Sequence, residues 1–309
     1  MELIERYRGS LFGLAIGDAL GASLEFQEPG SFEPIDDMLG GGPFRLRPGD
    51  WTDDTSMALC LAESLIESRG FNAVDQMERY LKWYHKGHLS SQGWCFDVGT
   101  TTRKALLAFE ASHQPFCGLT DEESAGNGSL MRLAPIALAY GSDPTAALDM
   151  AGDSSKTTHG NKMCIDACRY MAALIVGALQ ERSKEELLAS KFTPVKDYWL
   201  HRPPSAEIEA VAMGSYKSKE PPEIQGSGFV VQSLEAALWA FHKTDTFKEG
   251  CLLAVNLGDD ADTTGAVYGQ LAGVYYGEKE LPPEWRSKVA LPEVIRRYSE
   301  QLFALSQTM

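Results

Sequence analysis

Two segments of this chain carry a glycine at every fourth position: Gly9, Gly13, Gly17 and Gly21 in "GSLFGLAIGDALG", and Gly265, Gly269, Gly273 and Gly277 in "GAVYGQLAGVYYG". The residues between them are mostly apolar and return every three or four positions, which is the period of a helix. A spacing of four keeps all the glycines of a segment on one helix face. Each glycine inside a helix costs about 1 kcal/mol relative to alanine, so two such series need a compensating role in packing. Close backbone approach supplies one, because a face without side chains lets a neighbouring helix come nearer than the usual ~8 to 10 Å. The expectation is that the two glycine ridges face each other, or a shared neighbour, in the core.

Helical periodicity covers most of the remaining chain. It marks 5–24, 54–68, 72–86, 101–111, 130–140, 145–152, 162–181, 184–190, 205–213, 229–242, 246–255, 264–276 and 292–305, and strand-like alternation is nearly absent. An all-α fold follows, and 44% hydrophobic residues are ample for its core. No linker, low-complexity tract or solenoid repeat interrupts residues 1–309, which are expected to form one domain. Long loops rich in Pro and Gly at 28–50, 201–207 and 218–228 are candidate lids or binding segments.

Charge narrows the function. With 28 Lys plus Arg against 43 Asp plus Glu, the net charge of -15 repels phosphate backbones and anionic membranes, and no local basic patch offsets it. Six cysteines without CxxC pairing read as reduced thiols. The N-terminal "MELIERYRGSLFG" lacks the basic start of a secretory leader, and no apolar run reaches ~18 residues. A cytoplasmic protein that neither enters a membrane nor binds nucleic acid is expected.

Two acidic clusters stand at helix starts. "DWTDDTSMAL" brings Thr52, Asp53 and Asp54 to one, and "GDDADTTGAVYG" brings Asp259, Asp260, Asp262 and Thr263 to the other. Helix capping accounts for one aspartate at such a place, since a carboxylate accepts from free backbone N–H groups and suits the positive end of the helix dipole. It does not account for two or three. Adjacent carboxylates removed from water must take up a proton or a cation. Oxygen ligands of this kind favour Mg²⁺ or Mn²⁺, and no histidine or cysteine stands near enough to suggest zinc. Four aspartates brought together would need more than one dication. Glu25, at the end of the first glycine helix in "GDALGASLEFQ", would be carried by the ridge packing toward the second cluster, as a ligand, an acid or a base.

Other segments suit an anion. Gly126, Asn127, Gly128 and Ser129 in "SAGNGSLMRLAPIAL" precede a predicted helix whose free N–H groups fit a diphosphate, although a plain loop-to-helix turn uses the same residues. "FDVGTTTRKAL" repeats the design with Asp97, Gly99 and three threonines. His159 in "KTTHGNKMC" is either a hydrogen-bonded structural histidine or part of the site. A Ser129–His159 nucleophilic pair lacks both a Gly-x-Ser-x-Gly elbow and an orienting acid.

Taken in order, "GSLFGLAIGDALGASLE", "WTDDTSMAL", "FDVGTTTRKAL", "GNGSLMRLAPIAL", "SSKTTHGNKMC", "GSGFVVQSLEAALWAF" and "NLGDDADTTGAVYGQLAGVYYG" resemble the ADP-ribosylglycohydrolase family over about Tyr7 to Gly277. The resemblance implies an all-α bundle with two Mg²⁺ or Mn²⁺ ions in a central cleft, and hydrolysis of the bond between ADP-ribose C1″ and a modified group. It implies Thr52, Asp53, Asp54, Asp260, Asp262 and Thr263 as metal ligands. Glu25 and Asp97 share the acid–base role, and Gly99, Ser124, Gly126, Asn127, Gly128, Ser129 and His159 line the substrate. Tyr216 and Phe229 are candidates for the adenine end. Many members carry a second glycine where this chain has Asp259, which is therefore expected to support or cap rather than ligate. The implied partner is an ADP-ribosylated protein, with arginine as the default linkage and the chain acting as a monomer. Two rivals stay in view: a dinuclear-metal phosphohydrolase, and a non-catalytic binding or structural protein on the same scaffold.

Overall fold

The computed structural model describes residues 1–309, and its centre is the meeting of the two glycine ridges. α1 (Leu3–Gly21) and α13 (Ala261–Tyr276) run antiparallel, backbone against backbone. A Cβ at Gly9, Gly13 or Gly17 would overlap the carbonyl oxygen of Gly273, Gly269 or Gly265 respectively, and the reverse holds for each partner. The expected face-to-face packing is observed. Its register differs at both ends: Gly21 meets the Ala261 carbonyl, and Gly277 lies beyond the ridge as the residue that ends α13, at φ +84°. Backbone polar groups on this seam take side-chain partners across it. Ser10 Oγ donates to the Gln270 carbonyl (2.9 Å), and Arg6 Nη1 to those of Val274 (3.2 Å) and Tyr275 (3.1 Å).

Around this pair stand α2 (Asp53–Ser68), α3 (Ala73–Lys86), α4 (Thr100–Ser112), α5 (Ala134–Ala139), α6 (Pro144–Lys156), α7 (Lys162–Leu179), α8 (Lys184–Leu187), α9 (Tyr198–His201), α10 (Ala206–Ala212), α11 (Val230–Lys243), α12 (Phe247–Val255), α14 (Pro283–Lys288) and α15 (Pro292–Ser306). Pairing between extended segments is confined to isolated bridges, Gly41 with Leu46, Leu119 with His159 and Gly126 with Phe229. α13 is buried through most of its length between α1, α7, α11 and α12, while α15 closes the far side of α1 through Tyr7 Oη to Ser306 Oγ (2.8 Å). All six cysteines are free.

Every predicted helix has a counterpart, with shifts that have local causes. α5 begins at Ala134 rather than 130 because Pro135 lacks an N–H and fits only in a first turn. α13 begins at Ala261, so Asp262 and Thr263 lie within its first turn rather than before it. The short helices α9 and α14 lie outside the predicted helical segments; α14 opens on Pro283, and proline suits a helix start. No helix is long and apolar enough to cross a membrane.

Candidate active site

α1 and the turn that follows it place two carboxylates where the other helices begin. Asp18, one residue past the third ridge glycine, is fully buried and accepts from Thr52 N–H (2.8 Å), Thr52 Oγ1 (2.9 Å), Thr55 N–H (3.0 Å) and Thr55 Oγ1 (2.6 Å). It therefore caps the N-terminus of α2 from outside. Glu25 does the same for α13, its Oε2 accepting from the Ala261 N–H at 3.1 Å. The aspartates of the two acidic clusters are thereby largely released from capping; among Asp53, Asp54, Asp260 and Asp262, only Asp262 accepts from a first-turn N–H, that of Thr263 at 2.7 Å. Neither Thr52 nor Asp260 caps its own helix through its side chain.

Carboxylate oxygens of Asp18, Asp54 and Asp262 lie within 4.8 Å of one another, as do those of Glu25, Asp97 and Asp262. Asp262 belongs to both groups. Asp53 and Asp260 flank them, Asp260 Oδ2 accepting from Asn127 Nδ2 at 2.7 Å. None of these seven carboxylates has a Lys or Arg within ion-pair distance, and the buried Oδ1 of Asp54 has no hydrogen-bond partner at all. Burial, followed by the charge of Asp262, pushes the Asp18 carboxyl up to about 7, Asp260 to about 8 and Asp97 to about 9, and raises Glu25 further. Asp53 and Asp54 rise for the same first reason, with Asp97 and Asp18 as their respective main neighbours. Clustered, unpaired hard oxygens with one orphaned lone pair fit divalent cations better than any other partner.

The cleft over this floor has a volume of about 410 Å³ and is lined by Glu25, Asp53, Asp97, Asp260, Asp262 and Thr263 on one side. Gly99 and Thr100–Thr102 at the start of α4 form another wall, and Gly126, Asn127, Gly128, Gly228 and His159 a third. The helix starts of α2, α4 and α13 converge here, bringing the positive ends of three dipoles to the carboxylates. The 126–128 loop precedes a turn instead of a helix, contrary to expectation, yet the N–H groups of Gly128 and Ser129 donate to no carbonyl of the chain. Asn127 is tied down on both sides: its N–H donates to the Gly228 carbonyl (3.1 Å) and its Nδ2 to Ser233 Oγ (2.8 Å).

Some expected residues stand back from the cleft. Thr52 is buried beneath it, bonded to Asp18 and Asp54. Ser124 Oγ turns to Asp121 (2.8 Å), and Ser129 Oγ lies 2.8 Å from Ser155 Oγ in the core. Tyr216 does not reach the lining: its ring is buried edge-on to His242, where the turn at 215–218 packs on α11. Phe229 is half-exposed beside Gly228 and bridges to Gly126. Asp259 caps nothing either; its backbone exchanges hydrogen bonds with Phe26 and Gln27 (both 2.7 Å) at φ +57°, and its exposed carboxylate stands at the rim. Asp18 escaped the reading of the sequence. Its signal in the sequence is a charged residue beside a ridge glycine inside an apolar helix.

Comparison with known proteins agrees with this geometry. A family profile described as ADP-ribosylglycohydrolase matches residues 1–309. The chain is 42% identical over 302 residues to "ADP-ribosylarginine hydrolase Tri1" of Pseudomonas putida (strain GB-1), covering 98% of this chain and 79% of that one. It is 32% identical to "ADP-ribosyl-[dinitrogen reductase] glycohydrolase" of Rhodospirillum rubrum, covering 98% and 97%. A solved structure described as an "ADP-ribosylglycohydrolase-related protein complex" superposes with a TM-score of 0.86 at 44% identity, covering 99% of both chains.

Proposed function

The chain belongs to the ADP-ribosylglycohydrolase family, and on that premise we propose that it is a metal-dependent hydrolase that removes ADP-ribose from modified protein side chains by cleaving the glycosidic bond at C1″. Arginine is the linkage proposed, supported by the name of the Pseudomonas relative. The observation that carries the reading is the release of the clustered aspartates from capping: Asp18 and Glu25 cap α2 and α13, and the remaining carboxylates meet without a cation of the chain.

Asp53, Asp54, Asp260 and Asp262, with Thr52 and Thr263, would hold two Mg²⁺ or Mn²⁺ ions. When bound, such ions supply Lewis acidity and neutralise the floor of the cleft. Glu25 and Asp97 are the acid–base pair. Burial and the Asp262 charge raise both above the usual carboxylate range, so that one of the pair keeps a proton for the leaving nitrogen while its partner is ionised. The other accepts a proton from the attacking water as C1″ gains oxocarbenium character. The free N–H groups of Gly128 and Ser129 and the His159 edge receive the diphosphate, and the start of α4 at Gly99 adds its dipole. Binding there fixes C1″ over the carboxylates, an effect of position.

We read residues 1–309 as one domain acting as a cytoplasmic monomer, with an ADP-ribosylated protein as its partner. The test is incubation with arginine-linked and serine-linked ADP-ribosyl peptides plus Mg²⁺ or Mn²⁺. Free ADP-ribose from the arginine peptide is expected. Release of phosphate or AMP would mark a phosphohydrolase, and binding without any product a non-catalytic protein.

A further inference from the structure

Behind the diphosphate wall lies a charge with no obvious use. Arg132 is fully buried, has no carboxylate partner, and leaves Nε and Nη1 without hydrogen bonds. Its guanidinium rests 4.9 Å from the centre of the Tyr80 ring, and its one hydrogen bond runs from Nη2 to Thr158 Oγ1 at 2.6 Å. Thr158 Oγ1 is in turn 2.9 Å from His159 Nδ1, and both residues are buried. We propose that Arg132 and Thr158 are positioning residues that lock His159 as the neutral Nε2–H tautomer, presenting an N–H donor to the diphosphate of the ligand.

The direction of each bond follows from what each group can do. Guanidinium only donates, so Thr158 Oγ1 spends a lone pair on Arg132. Its own hydrogen then has one acceptor in reach, His159 Nδ1. The opposite tautomer would set two donors on Oγ1 and strand the threonine O–H in a buried site. Protonating the ring is opposed as well, because burial and the Arg132 charge depress His159 to about 3. Nε2 therefore carries the hydrogen. The backbone fixes where it points: the His159 N–H donates to the Ser155 carbonyl (2.7 Å), its carbonyl accepts from Ser155 Oγ (2.9 Å), and it pairs with Leu119. The ring lies flush on the glycine loop, with Nε2 3.1 Å from where a Cβ would stand on Gly128 and 3.5 Å from one on Gly126. That sets the Nε2–H beside Gly128, whose N–H, like that of the next residue Ser129, donates to no carbonyl of the chain, with a full positive charge behind them. A diphosphate is the ligand this array suits.

The identity of the ligand rests on the glycohydrolase reading, whereas the tautomer does not, so the two are tested separately. The ¹⁵N spectrum of the ligand-free protein at pH 7 should show a neutral His159 with its proton on Nε2. Thr158→Val removes the hydroxyl at constant shape and should weaken ADP-ribose binding about tenfold by calorimetry. It should raise KM by a similar factor with kcat within about twofold, since the diphosphate is remote from the reacting bond. Thr158→Ser, which keeps the relay, should restore the affinity. An Nδ1–H or charged ring in the unaltered protein overturns the proposal, as does unchanged ADP-ribose affinity in folded Thr158→Val. An unaltered protein with the Nε2–H tautomer that binds no ADP-ribose would instead remove the substrate assignment and leave the relay standing.

Discussion

Gly13→Ala is the sharpest test of the architecture, because the sign of its effect is at stake. In an ordinary helix the substitution stabilises by about 1 kcal/mol. Here the new Cβ would overlap the Gly269 carbonyl oxygen and lie 3.0 Å from Gly273 Cα and 3.1 Å from the Gly269 carbonyl carbon. All three are backbone atoms of α13, which is held from behind by α7, α11 and α12 and cannot turn a rotamer aside. Relief requires the helices to part. Overpacking of this kind costs typically 1 to 3 kcal/mol or somewhat more, so the net change is expected near 2 kcal/mol destabilising after the propensity gain. For a chain of this size that is a fall of roughly 4 °C in melting temperature. Because α1 carries Asp18, and Glu25 follows in the turn after it, while α13 carries Asp262, parting the helices also spreads the carboxylates, and Mn²⁺ affinity should drop alongside. Thermal and urea denaturation, with metal titration by calorimetry, measure both. A variant as stable as the parent, or more so, refutes the packing argument.

Three other outcomes are expected. The metal-free protein should lose stability as pH rises: Asp18, Asp260 and Asp97, raised to about 7, 8 and 9, bind more protons folded than unfolded between their ordinary values and these. Their contribution is complete below the ordinary carboxylate values and is used up once pH has risen through 7 to 9, so melting temperatures in chelator should fall from about pH 4 and level off only above about 9, and saturating Mn²⁺ should flatten the slope; a flat profile in chelator counts against the unpaired cluster. Asp18→Asn replaces an acceptor of two N–H and two O–H bonds by a group that is half donor, and should lower Mn²⁺ affinity at least about tenfold by loosening the start of α2, with affinity equal to the parent as the contrary result. Asp259→Gly relieves a residue at φ +57° whose backbone bonds need no side chain, and should be neutral to about 1 kcal/mol stabilising with kcat/KM unchanged; a tenfold loss of turnover would give its carboxylate a part in the reaction.

The pattern of residues by itself determined the helices, the glycine seam and both acidic clusters. These are local properties: a period of 3.6 places apolar residues on one face, a spacing of four lines glycines in a row, and charges at a helix start stand where the dipole welcomes them. The family was legible for the same reason, since its motifs are short runs in a fixed order. What a single run of sequence leaves open is which of two equivalent roles a carboxylate plays. Asp54 and Asp262 read equally well as caps until Asp18 and Glu25, far away in the chain, are seen to do the capping. Tyr216 looked as available as any aromatic beside a loop, and packing buried it. Arg132 and Thr158 bore no motif for a relay, because a hydrogen-bond chain from a buried guanidinium to a histidine exists only once α3, the 129–133 turn and the 157–160 segment are brought together. Tertiary structure decided these matters because burial and partnership depend on the groups that surround a residue, and those surroundings come from segments that the chain keeps tens to hundreds of residues apart.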